Sequence, residues 1–246
     1  MAAPAVLAPV LGSLRRYPWV PRLRLASGLI LFAFVLSHFL NHALGLWSLP
    51  VMEAAGNIRR TFWQSTPATA ALYGAFVVHM ALALRKTARR RTWRMPIAEA
   101  LQLALGLTIP VMLIDHVVGT RLLDVRFDVP DTYQQVLSTL WPGLVVWQTT
   151  LLFVVWIHAA IGLRFWLAGK SFYNRLAPLL LTSAVLVPTL AMLGWIEAAR
   201  RLVLSGERPE RLPLEAVVWS DPVIEYGRTA LIAIILGAVG VGIIGT

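Results

Sequence analysis

Six stretches of the chain, 25–49, 66–85, 96–119, 141–168, 178–199 and 227–246, are almost continuously apolar. Each is about 20 residues or longer, enough to cross a hydrocarbon layer of about 30 Å at about 1.5 Å per residue. Hydrophobic residues make up 58% of the 246 and charged residues only 14%. Mean hydropathy is +0.70, a balance too apolar for a soluble domain of this length. The runs do not alternate with period two, so they read as helices and not as strands of a membrane barrel. The expected fold is all-α: a polytopic membrane bundle of six transmembrane helices over residues 25–246, preceded by an arm at 1–24. Residues 1–14 are weakly apolar and precede the arginines instead of following them, which is not the order of a cleavable signal peptide.

The net charge of +10 comes from 22 basic and 12 acidic residues, and their placement matters more than their sum. Arg15, Arg16, Arg22 and Arg24 precede the first helix; Arg85, Lys86, Arg89, Arg90, Arg91 and Arg94 crowd the connection from the second to the third. Arg164, Lys170 and Arg175 mark the connection from the fourth to the fifth. The intervening loops are poorer: 50–65 holds only Arg59 and Arg60, and 120–140 sets Arg121 and Arg126 against Asp124, Asp128 and Asp131. This alternation predicts cytoplasmic N- and C-termini and makes the lipid bilayer, not nucleic acid, the partner of the basic clusters. Short loops predict that sequential helices pack as antiparallel neighbours. Pro110 and Pro188 read as kinks, and loop 200–226, with several prolines, as at most a short surface helix. A last helix ending at Thr246 is what a membrane module ahead of a soluble domain would look like. With no cysteine in the chain, disulfides, thiolate zinc sites and thiolate-ligated haem or iron–sulfur clusters are excluded within it. Neither a paired-carboxylate metal site nor a Gly-rich phosphate loop is present, so no catalytic machinery is visible.

All five histidines fall inside apolar segments: His38 and His42 on the first, His79 on the second, His116 on the third and His158 on the fourth. Ionisable groups inside a bilayer are costly and default to a functional reading. Counted along the helices, His79 and His158 sit level toward the cytoplasm, and His42 and His116 level toward the outside. The two levels are about 13–15 Å apart along the membrane normal. His38 lies one turn deeper than His42. A pair of imidazoles facing each other in a bundle core can hold a haem iron from both sides. Gly45, Gly119 and Gly162 follow His42, His116 and His158 at helical spacing and would leave room for a flat macrocycle, although such glycines also serve close helix packing. Arg85 and Arg164, each six residues past its histidine, could reach haem propionates or the interface. The competing reading is that the histidines only hydrogen-bond between helices.

One histidine on each of four consecutive helices, at 38 or 42, 79, 116 and 158, resembles the dihaem cytochrome b membrane anchor of succinate dehydrogenases and fumarate reductases. The stretches SHFLNHALGLWSL, VMEAAGNIRRTFWQS, RMPIAEALQLALGLTIPVMLIDHVVGTR and VVWIHAAIGLRFW are more closely similar to the six-helix anchor of bacterial class III adenylate cyclases. That resemblance covers most of residues 25–170 and implies a four-helix core holding two haem b groups in the bacterial inner membrane. His79 and His158 would ligate one haem and His116 the other. Its partner is His38 by spacing from His79 but His42 by depth, and depth favours His42. It further implies a redox or signal-sensing module that passes haem or quinone state to C-terminal ferredoxin-like and adenylate cyclase domains, working as a homodimer. The alternative is a cytochrome b electron-transport subunit of a succinate dehydrogenase- or fumarate reductase-like quinone oxidoreductase.

Overall fold

The computed structural model describes residues 19–206 and 211–245, and among these it contains helices and no strand. Residues 1–18 of the expected arm lie outside the described residues; Trp19–Arg24 already belong to the first helix. In chain order the α-helices are α1 (Trp19–Ala43), α2 (Leu49–Trp63), α3 (Thr66–Ala88), α4 (Ile97–Val117), α5 (Leu123–Phe127), α6 (Tyr133–Leu140), α7 (Val145–Leu167), α8 (Tyr173–Ser205) and α9 (Leu214–Ile244). A 3-10 turn, Leu44–Leu46, extends α1, and a π-helical turn, Val118–Leu122, joins α4 to α5 without a break.

Six continuous spans are long and apolar enough to cross a membrane: Trp19–Leu46, Thr66–Ala88, Ile97–Phe127, Val145–Leu167, Tyr173–Ser205 and Leu214–Ile244. The protein is a multi-pass membrane protein. The third span runs on to Phe127 and the fifth to Ser205, well past the ends that apolarity alone suggested. Asp128, at φ 52°, ends the third. Gly206, at φ 71°, takes the left-handed position that stops α8 and that a Cβ would strain. Most of the segment read as loop 200–226 is therefore helix. Pro110, Pro178, Pro188 and Pro222 all sit inside helices without ending them, as neighbouring spans in a bilayer permit.

The segments 50–65 and 120–140 also contain helices. Ser48 caps α2 by accepting the Val51 N–H at 3.2 Å, and Thr132 caps α6 by accepting the Gln135 N–H at 3.2 Å. Both helices fold back over one end of the bundle, hereafter the capped end; the connection rich in arginine after α3 marks the basic end. Asn41, buried near the end of α1, donates from its amide to the Met52 carbonyl of α2 at 2.8 Å and fixes the first of these caps.

The six spans close into a ring in the order α1, α3, α9, α4, α7, α8 and back to α1. First with second, third with fourth and fourth with fifth are neighbours as expected. Second and third are not, because α9 stands between α3 and α4; α8 and α9 lie across the ring from each other. The α1–α8 seam is the closest approach. A Cβ on Gly45 would run into the Gly194 carbonyl, and one on Gly194 into the His42 carbonyl. Backbone-to-backbone crossings of this kind need glycine on both helices. Beside the seam, Phe39, Met52, Leu137, Trp156 and Trp195 form the packed core. Trp156 donates its indole N–H to the Ala184 carbonyl at 3.0 Å.

The α4–α9 seam carries an ion pair. Arg228 reaches both oxygens of Asp115, at 2.6 and 2.8 Å, with its guanidinium 5.8 Å from the Trp147 ring centre. Their side chains are 39% and 25% exposed. Stranding one partner of a fully buried pair costs about 3–5 kcal/mol, and exposed pairs contribute about 0–1. Asp115→Asn is therefore expected to cost about 2 kcal/mol in detergent unfolding, and adding Arg228→Met should recover most of it.

Candidate functional site

The ring encloses a cavity of about 970 Å³ lined mainly from α1 and α3 on one side and α4 and α7 on the other. All five histidines stand on its wall, together with Trp195 of α8 and Leu231 and Ile235 of α9. Most of the remaining wall is aliphatic and aromatic. The imidazoles stand between the two ends of the chamber, and its charged lining residues, Arg24, Lys86, Arg90 and Glu99 at one end and Arg59, Arg60, Arg121 and Asp131 at the other, lie toward the ends. No cluster of three or more His, Asp or Glu side chains suited to a metal ion occurs among the described residues. The histidines offer their nitrogens in pairs.

Toward the basic end, the His79 and His158 rings lie 6.3 Å apart, centre to centre, with their planes at 88°. Each is oriented from behind. His158 Nδ1 donates to the Gln102 carbonyl at 3.1 Å. His79 Nδ1 is 3.3 Å from Ser27 Oγ, whose own proton goes to the Arg24 carbonyl at 3.1 Å, leaving that oxygen free to accept. Both Nδ1 atoms then carry the proton, and both Nε2 lone pairs are free to ligate. Glycines on the facing helices make room for the rings. A Cβ on Gly106 would stand 2.6 Å from His158 Cε1, and one on Gly28 would stand 3.2 Å from His79 Cε1.

Toward the capped end three histidines gather. The ring facing His116 is that of His38, 5.9 Å away at 62°. His42 packs against His38 with ring centres 4.3 Å apart and their Nε2 atoms 3.2 Å apart, and its other face meets Tyr133 at 5.6 Å. His116 Nδ1 is 3.3 Å from the Gln148 amide nitrogen, and a half-turn of that amide exchanges donor for acceptor. The Nδ1 atoms of His38 and His42 and the hydroxyl of Tyr133 are buried with no hydrogen-bond partner. Burial pushes the Tyr133 phenol up to about 12, so it remains a proton donor across the physiological range.

The expected pairing of His116 with His42 is thus replaced by His116 with His38. The cause is the length of the third span. Measured from Phe127, where the helix ends, His116 is about 16 Å deep, and His38 is about 12 Å from the end of the 3-10 turn at Leu46. His42 is only about 6 Å from that turn. An end at 119 had placed His116 too shallow.

Other expected site residues move as well. Gly45 is committed to the α1–α8 crossing and is off the cavity wall. Gly119 is exposed, with nothing near the place of a Cβ. Gly162 is on the wall, where an added Cβ would stand 3.1 Å from the Gln102 amide nitrogen. Arg85 and Arg164 are exposed and off the wall. The capped end is closed by a polar network. Arg60 pairs with Glu53 and Asn57 and, at 3.4 Å, with Asp131. Gln64 donates to Asp131 at 3.0 Å, and the Tyr133 N–H donates to Glu53 at 2.7 Å. Burial holds the Asp131 carboxyl above its ordinary range despite Arg60. Gly28, Gly106, Ser27, Gln102 and Gln148 are site residues that the sequence reading did not single out.

No protein-family model, curated protein or solved structure matches this chain.

Proposed function

We propose that this protein is a haem b-binding redox module of the membrane, holding one haem between His79 and His158 and a second between His38 and His116. The observation that carries the reading is the pair at the basic end: two imidazoles 6.3 Å apart with both Nδ1 atoms tied back and both Nε2 atoms free. Two imidazoles on facing helices with free nitrogens at this separation are the donor set that would hold a haem iron from both sides. The second pair, at 5.9 Å, has the same span. Its buried, unpartnered His38 Nδ1 shows a polar site whose hydrogen bonding the protein alone does not complete.

The size of the chamber supports a large apolar ligand. Its volume of about 970 Å³ stands at the upper end of the range of about 300–1,000 Å³ for ligand and cofactor pockets. Haem bound here would supply one-electron redox chemistry. The chain's own part is to ligate, to orient the imidazoles through Gln102 and Ser27, to keep water out with its apolar wall, and to clear ring space with Gly28 and Gly106.

A sensing anchor is the better form of this reading, because Asp115, next to His116, is bonded to Arg228 of the last helix. A change at the capped-end site thereby has a route into α9 and on to a cytoplasmic output, an adenylate cyclase-type domain by the resemblance drawn from the sequence. The reductant would be a membrane quinol. The two pairs sharing one cavity equally suit electron transfer in a succinate dehydrogenase- or fumarate reductase-like complex, and co-purifying flavin and iron–sulfur subunits would favour that reading. The deciding measurement is a dithionite-reduced minus oxidised spectrum with pyridine haemochrome stoichiometry on protein expressed with haem supply. About two b-type haems per chain are expected, and a preparation without a Soret band would refute the proposal.

A further inference from the structure

Six cations line the cavity: Arg24, Arg59, Arg60, Lys86, Arg90 and Arg121. Four are already neutralised. Arg60 is held by Glu53 and Asp131, Lys86 and Arg90 by Glu99 at 3.6 and 3.1 Å, and Arg121 by Asp124 at 2.7 Å. Among the described residues, Arg24 and Arg59 have no carboxylate partner, and they stand at opposite ends. Arg24 is one turn before Gly28 on α1, and its carbonyl accepts from Ser27, the hydroxyl that faces His79. Arg59 projects from α2 over the Phe34 ring, 5.6 Å from its centre, and Phe34 in turn stacks on His38 at 5.8 Å. Arg59 Nε is buried with no hydrogen-bond partner.

We propose that Arg24 and Arg59 each bind a carboxylate on the edge of the ligand held by the nearer histidine pair, one guanidinium serving each end of the cavity. This rests on the haem reading, in which those carboxylates are the propionates, and it reassigns to Arg24 and Arg59 the role first expected of Arg85 and Arg164. A guanidinium turned into a cavity without a carboxylate partner is costly, and a carboxylate matches its planar fork with two parallel hydrogen bonds.

The test reconstitutes the full chain with iron protoporphyrin IX and, separately, with its dimethyl ester, which keeps the ring and iron but has no carboxylate. In a His79→Ala background, which reports the capped-end site alone, Arg59→Gln should weaken protohaem binding by about ten- to hundredfold, the range of a charge-assisted hydrogen bond. The ester should already bind that much more weakly and should be indifferent to Arg59→Gln. Arg59→Lys, which keeps the charge, should recover part of the loss. Arg24→Gln should behave likewise at the basic-end site in a His38→Ala background. Wild-type chain that binds two protohaems and two esters equally well, or an Arg59→Gln loss that is the same for both pigments, overturns the inference and leaves the haem reading standing. The second result would make the bound anion a lipid headgroup or a free oxyanion. No binding of either pigment overturns both.

Discussion

His158→Ala is expected to leave the purified protein with about one haem in place of two, and His79→Ala should give the same product. The loss should be all-or-none for the basic-end site. Each imidazole there is held by a different helix, and the space between the rings accommodates an iron only if both nitrogens are supplied. The fold should survive, because the α1–α8 crossing and the packed core beside it are made by other side chains. At the capped end, His38→Ala should likewise remove about one haem, whereas His42→Ala should retain about two with a shifted spectrum, since His42 touches His38 from the side. Haem stoichiometry and reduced-minus-oxidised spectra of the four variants decide the matter. If His42→Ala loses the haem and His38→Ala keeps it, His42 and not His38 is the partner of His116.

That contrast shows what could be read from the residues before the fold. The six spans were legible because continuous apolarity over about 20 residues has few other physical uses, and the histidines stood out against it. The helix ends were less so. Val118–Phe127 contains Thr120, Arg121, Asp124 and Arg126, polar enough to look like loop, yet the helix runs on through the π-helical turn and carries His116 deeper. Of the glycines expected beside the histidines, Gly162 is on the cavity wall and Gly45 and Gly119 are not. Spacings of three and four find neighbours on the same helix, but the room a ring needs is on the helix opposite, where Gly28 and Gly106 are. No sequence rule connects position 106 to position 158. Gly45, which did fall at helical spacing from His42, proved to belong to α8 through Gly194. Arg59 was passed over because 50–65 read as a loop, although Ser48 followed by Pro50 is a helix-start signal. The roles of α8 and α9 in closing the ring do not show in their composition: both are largely apolar, and the inward mark on α9, Arg228, finds its partner Asp115 on a helix far away in the chain.

The glycines also separate the fold from the site. Gly194→Val is expected to destabilise the protein by about 3 kcal/mol or more, the upper part of the range for overpacking. The atoms its side chain would strike are the His42 carbonyl and the Ala43 backbone, and neither can swing aside without moving α1. Gly106→Val should behave differently. What stands in its way is the His158 imidazole, a side chain that can rotate once its bond to the Gln102 carbonyl is given up. The ring would leave its position facing His79, and the expected result is loss of the basic-end haem with little change in helix content. Gly119→Ala, with open space around it, should alter stability by no more than about 0.5 kcal/mol. Thermal unfolding in detergent, followed by circular dichroism and by haem absorbance on the same samples, resolves the three. If Gly194→Val melts with the wild type, α1 and α8 do not cross at Gly45. If Gly106→Val keeps both haems, His158 is not the ligand proposed here, since the displaced ring could not ligate from where the valine would push it.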